Sequence, residues 1–171
     1  MFEKGEYIVY GTTGICEITD IKTMDIKGVP RDKLFYVLTP YTHQSSTIFT
    51  PVDSTKTIMR KVITKEQAQE IIDNMPEAEE LHCPDDKQRE ETYKECIRSC
   101  DCRALIKVIK TLYIRREQKL SQGKKFAAAD ERNLKVAEDN LYSELSVALG
   151  IDRQELRRYI EDRLGGITLA E

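Results

Sequence analysis

The pattern of hydrophobic and polar positions changes once along the chain, near residue 64. Before that point, apolar residues occur in short runs rich in β-branched and aromatic side chains, separated by Gly, Pro, Asp and Ser. Such runs are typical of β-strands, and five are predicted, at residues 7–10, 14–21, 34–38, 46–50 and 57–60. Five short strands at this spacing favour a small, strongly bent barrel over a parallel sheet.

From residue 64 the apolar positions follow the period of an α-helix instead. Thr64 with Gln67, and Asp152 with Glu155, have the spacing of a capping box, which marks the start of a helix. Pro76 is predicted to end the first helix, because proline cannot continue the hydrogen-bond ladder. The other predicted caps are Asp85 or Asp86, Asp101 and Asp130, and the predicted stops are Gly150 and Gly165-Gly166.

Together the two patterns predict an α+β chain with two domains. A small N-terminal β-barrel is expected over residues 1–63, and a C-terminal all-α bundle of about four helices over residues 64–171. An acidic joint near residues 77–86, which holds five acids and no Lys or Arg, is expected between the first helix and the rest of the bundle.

The net charge of −3 conceals an uneven distribution of charge along the chain. Residues 87–125 hold 12 Lys or Arg against 5 Asp or Glu. Because phosphate binding depends on clustered charge rather than on the total, this basic block favours contact with nucleic acid. A set of solvated helix faces explains the same charges equally well.

Few residues point to catalysis. Neither His43 nor His82 lies in a recognisable nucleophile motif, so we predict no enzymatic activity, no cofactor and no small-molecule substrate. Uncharged segments are too polar to cross a bilayer and the N-terminus lacks the features of a signal peptide, so we expect no membrane contact and a cytoplasmic location. In that compartment the five cysteines are expected to be reduced.

The cysteines allow another interpretation, that of a zinc or thiol sensor. Cys96, Cys100 and Cys102 lie close together in sequence, and Cys83 precedes them. Their spacing differs from that of the usual zinc knuckle, in which the paired cysteines flank a turn. We predict instead that Cys96 and Cys100, one helical turn apart, lie on the apolar side of one helix as small hydrophobic core residues, and that no metal is bound.

Short motifs follow one another in a characteristic order in both halves of the chain. The first half contains Phe2, Gly5, Ile8-Val9-Tyr10-Gly11, Gly14, Ile18, Ile26-Lys27-Gly28, Tyr36-Val37-Leu38 and Pro51-Val52-Asp53. The second half contains Tyr93-Lys94, Leu120-Ser121, Gly123, Lys125, Ala137, Leu141 and Glu144-Leu145. In this order, over roughly residues 1–150, the chain resembles the CarD family of bacterial transcription regulators, whose N-terminal domain is shared with the transcription-repair coupling factor.

The resemblance implies a Tudor-like barrel that binds the β subunit of RNA polymerase, and a helical domain that contacts promoter DNA. In family members a tryptophan near the start of the helical domain wedges into the minor groove. This sequence contains no tryptophan, and the corresponding position falls near Arg89. Arginines of the family near the polymerase interface correspond to Met24 and Phe49, and these apolar replacements suit a drier contact with a co-adapted polymerase.

The polymerase is expected to bind at an edge strand around residues 46–51, which would add to a β-strand of the β subunit. Strand alternation directs Ile48 and Thr50 inward, and Thr47 and Phe49 outward. The expected polymerase-binding residues are Met24, Thr47, Ile48, Phe49, Thr50 and Pro51.

DNA is expected to bind at a basic stripe on one helix and at the loop before another helix. The expected DNA-binding residues are Lys87, Arg89, Lys94 and Arg98 on the helix, and Lys124 and Lys125 in the loop. Contacts to the phosphate backbone alone would be weak, salt-dependent and nearly blind to sequence. The leading hypothesis is therefore a polymerase-bound regulator that tunes the stability of the open promoter complex. The alternative is a polymerase-associated adaptor whose helices bind a protein and never touch DNA.

Overall fold

A computed structural model describes residues 1–165 of the chain. The chain divides into two compact units, which we term the β unit, Met1–Val62, and the helical unit, which begins at Ile63. Gly166, part of the predicted last helix stop, lies outside the described residues.

The β unit is built on an antiparallel sheet with the strand order β4-β3-β2-β1-β5. Its strands are β1 Tyr7–Tyr10, β2 Gly14–Thr23, β3 Leu34–Pro40, β4 Ile48–Pro51 and β5 Met59–Lys61. Each corresponds to a predicted strand. Strands β2 and β3 extend two residues beyond the predicted ends, and β4 and β5 begin two residues later than predicted.

The predicted barrel is not confirmed, because the sheet is open. Strands β4 and β5 lie at opposite edges and do not pair with each other in the part of the chain that the structure describes. The observed fold class is α+β, with a five-stranded antiparallel sheet followed by helices.

Two local features stabilise the β unit, one at the turn after β1 and one on the core face of the sheet. Gly11 follows β1 with φ +48°, and a Cβ placed there would lie 2.6 Å from Thr57 Cγ2, so only glycine fits. The backbone N–H of Gly11 donates to the carbonyl of Ile58 at 2.9 Å. On the core face, Tyr36 is 1% exposed, and its hydroxyl accepts a hydrogen bond from the N–H of Phe2 at 2.9 Å.

The helical unit contains five α-helices in its described residues, one more than the approximate number predicted. Their bounds are α1 Lys65–Asn74, α2 Asp86–Arg98, α3 Cys102–Ser121, α4 Ala128–Leu149 and α5 Arg153–Arg163. A short 3-10 turn, Met75–Glu77, follows α1 and contains the predicted helix stop Pro76.

Most predicted helix ends are confirmed. Both hydrogen bonds of each capping box are present at Thr64 and at Asp152. The side chains of Asp85 and Asp101 accept bonds from backbone N–H groups at the starts of α2 and α3. Gly150 ends α4 in the left-handed conformation, with φ +68°.

Two predictions about helix positions are wrong. Asp130 does not cap α4, which begins after Ala127; its side chain instead pairs with Arg115 at 2.9 Å and is almost fully buried. Cys96 and Cys100 do not share a helix, because α2 ends at Arg98 and Cys100 has φ +56°, outside helical geometry. Cys100 is nevertheless buried, as a core residue would be.

A buried carboxylate on α4 joins three segments of the helical unit. Glu144 is 2% exposed, and its Oε1 accepts a hydrogen bond from the N–H of Ile63 at 3.1 Å. Its Oε2 accepts a bond from the Cys102 thiol at 3.2 Å. Because Ile63 opens the helical unit and Cys102 is the first residue of α3, Glu144 attaches both chain segments to α4.

We expect Glu144→Ala to lower the free energy of unfolding by about 2–4 kcal/mol, since it leaves buried donors without an acceptor. Urea denaturation followed by ellipticity at 222 nm measures this change. Glu131→Ala is the matched control, because Glu131 lies exposed on the same helix, and there we expect a change within about 0.5 kcal/mol. Equal losses in the two variants would contradict the anchoring role of Glu144.

Candidate functional site

The edge strand β4 presents an exposed aromatic ring. Phe49 is 46% exposed and lies opposite Val37 of β3, while Lys22 of β2 places its Nζ 5.8 Å from the centre of the ring. Strand β4 pairs with β3 alone, so its other edge is unpaired among the described residues. An unpaired edge beside an exposed aromatic side chain is suited to receive a strand from a partner.

The other residues expected to bind the polymerase lie on or near this edge. The alternation agrees with the prediction: Thr50 is 3% exposed and Ile48 half-buried, while Thr47 is exposed. The Thr50 side chain is therefore not available to a partner. Met24 is half-buried just after β2, at the same end of the sheet as Pro51, because the ends of β2 and β4 both pair with the start of β3.

The basic side chains of α2 are largely paired with acids of the same helix. Lys94 contacts Glu90 at 3.0 Å, and Arg98 contacts Glu91 at 2.6 Å. Both pairs are about half exposed, so each contributes only about 0–1 kcal/mol to stability. They nevertheless lower the net positive charge that a phosphate would meet at the predicted stripe.

The positive charge of the block at residues 87–125 is concentrated after α2. Helix α2 carries four basic and four acidic residues, whereas α3 carries six basic residues and one acidic residue. The DNA contact was predicted at α2 and at the loop that contains Lys124 and Lys125. The acids of α2 and the excess of basic residues on α3 favour the loop and α3 over α2.

The loop between α3 and α4 exposes two lysines. Lys124 and Lys125 are exposed and form no ion pair within residues 1–165. The N–H of Lys124 donates to the carbonyl of Lys119 at 2.9 Å, which holds the loop against the end of α3. The first turn of α4 contains Asp130 and Glu131, so the predicted phosphate contact at its N-terminus is opposed by negative charge.

Sequence reasoning also missed an open cleft of about 500 Å³ in the helical unit. Its walls come from the segment before α2 and from facing sides of α2 and α3. The lining residues are Glu80, Leu81, His82, Cys83, Pro84, Arg89, Tyr93, Thr111, Ile114, Arg115 and Gln118. These residues are brought together only by tertiary packing, so spacing along the sequence does not reveal them.

Two arginines of this cleft converge on one carboxylate. Arg115 Nε contacts Asp130 at 2.9 Å, and Arg115 Nη2 lies 3.5 Å from Asp86 Oδ1. The guanidinium of Arg89 bonds to the same Asp86 oxygen. Asp86 is 86% exposed, whereas the side chains of both arginines are about three-quarters buried. Arg89, the residue near the expected wedge position, is thus held at the rim of the cleft by an acid.

The cysteines provide no metal cluster in residues 1–165, where no group of three or more His, Cys, Asp or Glu side chains is placed to hold an ion. Burial raises the pKa of the Cys96 thiol, with a further contribution from the nearby Glu95 carboxylate. Burial also raises the pKa of Cys16 to about 11. Both thiols are therefore mostly protonated at neutral pH and are poor nucleophiles.

No helix of the described residues combines the length and apolarity needed to cross a membrane. A search of curated proteins finds no match to this chain. Models of two protein families match it: the CarD-like/TRCF RID domain at residues 2–63, and the C-terminal domain of CarD at residues 67–161. The second alone spans more than half of the chain, and the first corresponds to the β unit. The chain belongs to the CarD family.

Proposed function

We propose that this protein binds the β subunit of RNA polymerase through the β4 edge, contacts promoter DNA through its helical unit, and thereby tunes the stability of the open complex. Its family domains are those of a non-catalytic transcription regulator that interacts with RNA polymerase, and the RID domain is the one that interacts with the β subunit. The observation that carries the proposal is the exposed Phe49 on an unpaired edge strand of that domain.

Addition of a polymerase strand to β4 fits the structure of this edge. Main-chain hydrogen bonds along the free edge supply affinity without depending on side chains, while Phe49 supplies specificity. Phe49 lies opposite Val37 on the neighbouring strand and Lys22 Nζ lies 5.8 Å from the centre of its ring, so these neighbours restrict the ring before a partner covers it. A rigid aromatic anchor at the centre of an interface is the usual form of a binding hot spot.

We expect Phe49→Asp to weaken binding to the polymerase β subunit by about 2–4 kcal/mol, because a charge replaces the buried anchor of the interface. The melting temperature is expected to stay nearly unchanged, since the side chain is exposed in the free protein. Surface plasmon resonance with immobilised β subunit measures the affinity, and calorimetry measures the melting temperature.

Ile58→Asp is the matched control. Ile58 is 45% exposed, close to the value for Phe49, and lies beside β5 at the opposite edge of the sheet. We expect this variant to bind the β subunit as the unchanged protein does. Loss of binding in Ile58→Asp with retention in Phe49→Asp would move the interface to the β5 edge.

The proposed DNA contact depends on Lys87, Arg89, Lys94, Arg98, Lys124 and Lys125. The last two support the proposal best, because they are exposed and form no ion pair within the described chain. Lys94 and Arg98 of α2 must break their ion pairs with Glu90 and Glu91 before they contact a phosphate, which reduces the net free energy of DNA binding. Binding is therefore weak by itself, and attachment to the polymerase raises the effective concentration of the helical unit at the promoter.

We expect Lys124→Glu with Lys125→Glu to shorten the lifetime of the open promoter complex without changing affinity for the β subunit. The slope of log K against log salt for a forked promoter fragment should fall by about 2, since each lost phosphate contact contributes about 0.9. Competitor-challenge lifetimes and binding titrations at several salt concentrations measure the two effects.

Lys65→Glu with Arg158→Glu is the matched control, because these side chains are exposed on α1 and α5 and the pair makes the same change in net charge. We expect it to leave both the lifetime and the salt slope unchanged. If the two double variants behave alike, DNA contact by this loop is excluded and the adaptor hypothesis, in which the helices bind a protein, takes its place.

A further inference from the structure

The cleft between α2, α3 and the segment before α2 has fixed walls. The N–H of Leu81 donates to Thr111 Oγ1 at 2.9 Å, and the ammonium of Lys110 bonds to the carbonyls of Pro76 and Ala78. These bonds attach the segment before α2 to α3. A cleft of about 500 Å³ with such walls is in the size range of small-molecule sites.

A buried hydroxyl in this cleft lacks a partner. Tyr93 is completely buried, and its hydroxyl forms no hydrogen bond within residues 1–165. Burial, and then the Asp130 carboxylate, raise the pKa of Tyr93 to about 12, so the hydroxyl is protonated at neutral pH and can donate. Buried polar groups are nearly always satisfied, so this hydroxyl, on a residue that lines the cleft, can donate to an acceptor that enters the cleft.

Asp86 occupies the position that an anionic ligand would take. One of its oxygens lies between the guanidinium groups of Arg89 and Arg115. Because its side chain is 86% exposed, it can rotate away into solvent at little cost. Arg115 stays in place when this happens, since its Nε remains bonded to the buried Asp130.

We propose that this cleft binds a phosphate ester, which displaces Asp86 from Arg89 and Arg115 and accepts a hydrogen bond from the Tyr93 hydroxyl. Phosphate suits the two guanidinium groups because it offers several oxygens to their planar arrays of donors. The apolar side chains of Leu81 and Ile114 provide a surface for the organic part of the ester.

Two sources of phosphate ester share this chemistry: a small molecule such as a nucleotide, and the backbone of an unpaired nucleic-acid strand. The probes are therefore adenosine 5′-monophosphate and a short oligothymidine without terminal phosphate, titrated by calorimetry at fixed ionic strength. The proposal does not depend on polymerase binding, so the experiment uses the full chain alone.

Matched variants on α2 make the test specific. Asp86→Asn removes the internal competitor, and Glu91→Gln makes the same charge change at another exposed acid bonded to an arginine. We expect affinity to rise several-fold in Asp86→Asn and to stay unchanged in Glu91→Gln. Tyr93→Phe is expected to lower affinity several-fold while the melting temperature stays the same or rises, because the lost hydroxyl had no partner in the free protein.

A second pair of variants tests the arginine. Arg89→Gln is expected to lower affinity about tenfold, whereas Arg157→Gln, whose guanidinium contacts Glu161 on α5, is expected to leave the affinity unchanged. This ordering with adenosine monophosphate supports a small-molecule ligand, and the same ordering with oligothymidine alone supports a nucleic-acid strand. Equal affinities in Asp86→Asn and Glu91→Gln for both probes, or no binding of either, would overturn the proposal and leave the polymerase contact unaffected.

Discussion

The helical unit depends on one buried, hydrogen-bonded carboxylate. Glu144 accepts bonds from the first backbone N–H of the unit and from a thiol at the start of α3, so one side chain of α4 positions two other segments. A buried acid is costly unless its oxygens are satisfied. Its cost is offset only when the chain enters the unit at Ile63 and α3 begins at Cys102. The two hydrogen bonds of Glu144 therefore favour one arrangement of the helices. Hydrophobic packing alone tolerates more than one arrangement.

Features governed by neighbours in sequence could be predicted, because their physical causes lie within a few residues. The capping boxes at Thr64 and Asp152 and the left-handed Gly150 are of this kind, and so is the alternation that exposes Phe49. Asp130 has the same local signal as a true cap. It is not a cap because α4 begins two residues earlier, at Ala128, and its carboxylate pairs with Arg115 on another helix.

Only part of the candidate site could be predicted, because the rest of it depends on contacts between residues far apart in sequence. Alternation along one strand was enough to predict that Phe49 is exposed, whereas the position of β4 at the edge depends on the strand order of the whole sheet. Helical spacing places Lys87, Lys94 and Arg98 on one side of α2, whereas Arg89 lines the cleft on another side. Lys94 and Arg98 are paired with Glu90 and Glu91 of the same helix, and these acids weaken the stripe as a site for phosphate. The cleft around Tyr93 depends on how α2, α3 and the preceding segment pack together, and no local pattern encodes that packing.

The two units contribute different kinds of interaction to the proposed function. The β unit offers a rigid apolar anchor and a free strand edge, which give affinity that salt weakens little. The helical unit offers charges, and its cations nearest the expected wedge position are held by acids. In the proposed function, Lys124 and Lys125 contact DNA phosphates, and such contacts are electrostatic. Because phosphate contacts do not select a sequence, in the proposed function the polymerase contact determines where the protein acts and the DNA contact determines how long the complex lasts.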